Sequence, residues 1–111
     1  MAGGSWQAPV GRLVHVNVNQ DAAGTLELAG AVAGHRHKVL GALLSMSVLG
    51  TLQFSDGVGS SGPLDINASS PFIIPTSVIP YWATADGLVL NLVTTLGAAR
   101  GLVVVLTEPV P

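Results

Sequence analysis

The chain has 111 residues, no cysteine, 9% charged residues, a net charge of −2 and a mean hydropathy of +0.60. That length suits one domain with one hydrophobic core, and the missing cysteines exclude disulfides, iron–sulfur clusters and thiolate zinc sites. Four Lys and Arg residues cannot build a face for phosphates, which argues against nucleic acid and against a polybasic membrane anchor as partners.

The apolar composition calls for a membrane test. Residues 66–85 are uncharged, but they carry Asn67, Pro71, Pro75 and Pro80, which a lipid-exposed helix would not accommodate. Met1 to Pro9 shows no basic stretch followed by an apolar one, so no signal peptide is expected. The reading is a soluble protein whose apolar surface is covered by partners.

In chain order, Met1 to Gly11 reads as a loose N-terminal arm carrying Trp6, and residues 12–111 as a single domain. Arg12 to Asn19 alternates Val14, Val16 and Val18 with His15, Asn17 and Asn19, the period of a half-buried strand. A turn at Asn19 to Gly24 leads to a second strand, Thr25 to Val32. His37 to Met46 predicts a strand with Leu40, Ala42, Leu44 and Met46 on one face and Val39, Gly41 and Leu43 on the other. In Val48 to Phe54, Leu52 and Phe54 point inward. The Asp56 to Gly62 loop and a short strand at Leu64 to Ile66 follow.

Phe72 to Pro80 is extended but rich in proline, which confines it to a sheet edge or a crossing segment. Asp86-Gly87, between Tyr81 to Ala85 and Leu88 to Thr95, carries the signature of a tight β-hairpin. Leu96 to Gly101 turns the chain into a last, fully apolar strand, Leu102 to Thr107. About eight short strands with Gly and Pro between them predict an all-β fold, a β-sandwich or jelly roll.

No constellation of catalytic residues stands out. His35-Arg36-His37 has the His-x-His spacing of metal sites, and among small β-barrels it resembles the cupin pattern. That pattern also has a Glu a few residues on and a third His, whereas here Gly41, Ala42 and Leu43 occupy the Glu region and no histidine follows His37. The better reading is two exposed polar residues at a strand start, with neither metal nor cofactor. No Gly-x-Ser-x-Gly elbow is present. Asp56 and Asp86 precede glycines, where turns favour Asp for conformational reasons alone. The expectation is a protein that is not an enzyme.

Two features point to binding. Tyr81-Trp82 is an adjacent aromatic pair: the plainer reading has both partly buried, and the functional one has one at the surface, where Trp82 would stack on a sugar or a protein partner. Val103 and Val105 alternate with Leu102, Val104 and Leu106, and Val39 and Leu43 alternate with Leu40 and Leu44. Both faces of these strands are therefore apolar, and the outer one would be covered by a second copy of the chain or, on the plainer reading, by loops folded over it. Trp6, Val39, Leu43, Trp82, Val103 and Val105 are the residues expected at such interfaces.

Four segments carry a resemblance. They are Leu28-Ala29-Gly30-Ala31-Val32-Ala33-Gly34 running on to His37-Lys38-Val39-Leu40, then Pro63-Leu64-Asp65-Ile66, then Pro80 to Gly87, then Leu90-Asn91-Leu92. Their order over residues 25 to 107 resembles a group of small tailed-phage structural proteins. Asp86-Gly87, where that group more often has Gly-Glu, and the proline-rich Phe72 to Pro80 depart from it. The resemblance implies a virion location on the capsid surface and a trimeric decoration, or cement, protein that binds the major capsid protein. The alternative is a receptor- or glycan-binding module of a tail or fibre.

Overall fold

The computed structural model describes residues 11–68 and 71–110. Trp6 and the rest of the expected arm, apart from Gly11, lie outside them. Among the described residues there are nine strands: β1 (Arg12–Gln20), β2 (Gly24–Ala29), β3 (His35–Met46), β4 (Gly50–Ser55), β5 (Leu64–Ile66), β6 (Phe72–Ile74), β7 (Trp82–Ala83), β8 (Leu90–Thr94) and β9 (Ala99–Pro109). They build a five-stranded sheet, ordered β1-β9-β3-β6 with β7 also paired to β3, and a four-stranded sheet, β2-β8-β4-β5. Every pairing is antiparallel, and no described residue is helical. The fold is all-β and consistent with a small β-sandwich.

The core lies between the sheets. Val39, Leu44, Val103 and Val105 enter it from the larger sheet, and Leu52, Phe54, Leu90 and Leu92 from the smaller. Each such side chain contributes about 1.5–3 kcal/mol by leaving water. The alternation of β4 explains its half of the layer, since Leu52 and Phe54 are buried while Thr51, Gln53 and Ser55 are partly exposed.

β9 is the spine of the larger sheet, paired to β1 along one side and to β3 along the other. It begins at Ala99, not at Leu102 as the turn residues suggest, and spans 11 residues. Gly101 permits this extension. Its φ is +144°, and a Cβ there would land on the Leu43 carbonyl, 2.9 Å from the carbonyl carbon and 3.0 Å from Leu44 Cα.

β3 carries a register shift between Val39 and Gly41 opposite β9. A bulge inserts one residue and inverts the alternation that follows. His37 and Val39 therefore point inward before it, and Ala42, Leu44 and Met46 after it. This corrects the expectation that Val39 shares a face with Leu43. Gly41 sits where Thr76 crosses, with Thr76 Cα 2.9 Å from the place a Cβ would occupy.

Asp86-Gly87 does turn the chain, with Leu88 N–H donating to Ala85 O at 3.4 Å and Gly87 at φ +75°. It does not make a hairpin, however. β7 before it pairs with β3 in the larger sheet, and β8 after it pairs with β2 and β4 in the smaller. The turn is the crossover between the two layers.

Candidate functional site

On the outer side of the larger sheet, β9 presents Leu102, Val104 and Leu106, with β1 and β3 on either side. The register sets Leu43 beside Leu102 and Ile73 beside Leu43. Leu43 is 51% exposed and Ile73 59%. Two open apolar hollows of about 350 and 360 Å3 flank Leu43, one running toward Val104 under Pro75 and Thr76, the other toward Pro71 and Gly101. The Pro75–Thr76 crossing helps bury Val104 but leaves the middle of the face open.

The two ends of this face are charged. At one end Glu108 receives Lys38 Nζ at 2.6 Å and Arg36 at 3.8 Å. At the other Arg100 bonds Asp21 at 2.8 Å and the Gln20 carbonyl at 2.7 Å. Such partly exposed ion pairs contribute little stability. The face thus has an apolar centre between two charged ends.

Of the residues expected at interfaces, Leu43 alone lies on this open face. Val39, Val103 and Val105 are buried in the core between the sheets, because they share the inward side of β3 and β9. The outward residues of β9 are the intervening Leu102, Val104 and Leu106. Trp82 pairs opposite Val39 and packs on the core, partly buried. Tyr81 is the more exposed of the pair, yet its ring meets Phe54 and Phe72 edge-on at 6.0 and 6.2 Å. Both rings thus take part in the internal packing. Trp6 lies outside the described residues.

The strongest polar constructions are internal. His37 is buried, not exposed as its place at a strand start suggests. Its Nε2 lies 2.7 Å from the Gly30 carbonyl, which can only accept, so Nε2 carries the proton and Nδ1 takes the Thr107 hydroxyl at 2.7 Å. Its backbone N–H donates to Thr84 Oγ1 at 3.0 Å. Both ring nitrogens of His37 are thus engaged within the fold, and His35 Nδ1 lies 3.0 Å from the Ala33 carbonyl. Among the described residues no three His, Cys, Asp or Glu side chains converge.

Asp56 is the second such group. Its Oδ1 accepts from Val58 N–H at 2.9 Å and Gly59 N–H at 2.7 Å, and its Oδ2 accepts from Ala85 N–H at 2.9 Å. It closes its own loop and ties that loop to the crossover between sheets. Adjacency to Gly57 signalled the turn, but nothing local signalled the bond to residue 85.

Burial pushes the Asp56 carboxyl up, but the N–H donors of Gly59, Ala85 and Val58 outweigh it and hold the pKa below 3.8. A depressed folded pKa means that this carboxylate stabilises the fold above its unfolded value. The contribution fades as pH falls through the folded one. Asp56→Asn should therefore lower stability by about 1–3 kcal/mol at neutral pH, because an amide N–H2 would face a donor. Urea titrations between pH 2 and 7 should show the gap between variant and parent closing below about pH 4. A gap constant across that range would remove the carboxylate's charge from the account.

Set against protein-family models, curated proteins and solved structures, the chain matches none.

Proposed function

We propose that this chain is a non-enzymatic structural protein of a phage virion, most concretely a capsid decoration protein that binds and stabilises the head shell. The observation that carries the reading is the outer face of the larger sheet, apolar at Leu43, Ile73 and Leu102 and rimmed by Arg36, Lys38, Glu108 and Arg100. The resemblance over residues 25 to 107 directs that adhesive surface to a virion. Its action needs no chemistry: copies gathered through that face in a closed ring of three present three modest contacts to the major capsid protein, and effective concentration makes them one strong attachment, lost when the ring is lost.

The deciding experiment is fractionation of phage particles carrying this chain. Recovery with intact heads that lack tails, and release from them by Leu43→Asp, is the expected result. Recovery with tails or fibres, or glycan binding with no attachment to heads, would favour the receptor-binding alternative.

A further inference from the structure

A sheet edge exposes a row of backbone donors and acceptors, and proteins guard such rows with short strands, proline, bulges or charge. Three of the four edges here are guarded. β2 carries the exposed Glu27 and a register shift between Glu27 and Ala29. β5 has three residues, follows Pro63 and exposes Asp65. The edge shared by β6 and β7 consists of three- and two-residue pieces, with Pro71, Pro75 and Pro80 beside them.

β1 has none of these devices. It spans nine residues without proline or glycine, and its register on β9 runs unbroken from Arg12 to Gln20. Its one charge, Arg12, stands at the end. Among the described residues no strand pairs with its outer side.

We propose that β1 is a self-recognition strand, which pairs antiparallel with β1 of a second copy about a two-fold axis at Val16. The sequence suits itself in that register. Full overlap sets Val16 on the partner's Val16, Val14 on Val18, His15 on Asn17, Leu13 on Asn19 and Arg12 on Gln20, so no like charges oppose one another. Inward-facing residues meet inward-facing residues, and both cores stay on the same side of the joined sheet. Val14, on the core side of β1 yet 38% exposed, gains a cross-strand neighbour. A nine-residue pairing adds about eight to ten backbone hydrogen bonds, alternate residues of each strand supplying them.

This contact uses an edge, not the outer face, so it stands apart from the virion reading. It would join two chains, or two rings if the outer face gathers rings.

Two full-chain variants test it. The chain lacks cysteine, so Val16→Cys introduces one thiol. Facing Cα atoms in an antiparallel pair lie about 4.5–5.5 Å apart, within disulfide reach. Mild oxidation should cross-link Val16→Cys to a covalent dimer much faster than Val14→Cys or Val18→Cys, whose thiols sit four residues from their counterparts. The double variant His15→Lys, Asn17→Lys changes exposed positions and opposes lysines across the axis. Its light-scattering mass should be half that of the parent. Mixing it with His15→Glu, Asn17→Glu should restore the parent mass, which a mere loss of folding cannot do. Equal cross-linking at the three positions, or a mass unchanged by the lysines, would overturn the proposal, whether or not the chain binds heads.

Discussion

Val103→Asp should abolish the folded protein, whereas Leu43→Asp should fold and fail to assemble. Val103 is fully buried between the sheets, packed in the same cluster as Val39 and Leu44. An aspartate there has no cation among those neighbours, and an unpaired buried charge costs about 3–5 kcal/mol beyond the lost burial of valine. A domain of this size is stable by roughly 5–15 kcal/mol, so most of the margin disappears. Leu43, on the neighbouring strand β3, stands on the opposite face of the sheet and escapes that penalty. Its side chain is half in water on the outer face, and an aspartate there should change stability by less than about 1 kcal/mol. In an assembled interface the same carboxylate would be trapped against Leu102 and Ile73, weakening association by about tenfold or more. Circular dichroism separates the first outcome, and light scattering the second. If both variants fold and keep the parent mass, the outer face is not a contact between copies.

The second large effect is expected at Gly101. Its positive φ is uncommon for any residue with a Cβ, and here that Cβ would strike the Leu43 carbonyl, a backbone group that cannot swing aside. Gly101→Ala combines the conformational strain with the clash, for a loss of about 3–5 kcal/mol. At about 4–8 °C per kcal/mol, the melting temperature should drop by on the order of 15 °C or more. Gly34 offers the control. It also has positive φ, +74°, but nothing lies within 4 Å of its would-be Cβ, so Gly34→Ala should show the conformational part alone. Equal melting temperatures for the two variants would mean that the approach of β3 to β9 does not require glycine.

Strand identity was legible in the residues because it rests on local chemistry. Val14, Val16 and Val18 in β1, and Leu52 and Phe54 in β4, alternate as a pleated strand must. The apolar run Leu102 to Leu106 in the middle of β9 likewise followed from its role, since a central strand is covered by neighbours and by the core. Which of its faces met the core was a different matter. Alternation names two faces without saying which is inside when both are apolar, so Val103 and Val105 were assigned to an interface and belong to the interior. One bulge near Leu40 was enough to move Val39 across the sheet, because a single inserted residue inverts every side chain on one side of it.

The remaining decisions required contacts far apart in the chain. Asp86-Gly87 specifies a reversal of direction, but whether the flanking strands pair with each other depends on β3, β2 and β4 competing for them. His37 and Asp56 looked like a strand start and a turn, and their partners Thr107 and Ala85 lie 70 and 29 residues away. The apolar face that the functional reading uses was foreseen as a property of β3 and β9. Its membership, with Leu43, Ile73 and Leu102 side by side, came from a register that only the folded sheet sets, because cross-strand neighbours are chosen by pairing and not by sequence separation.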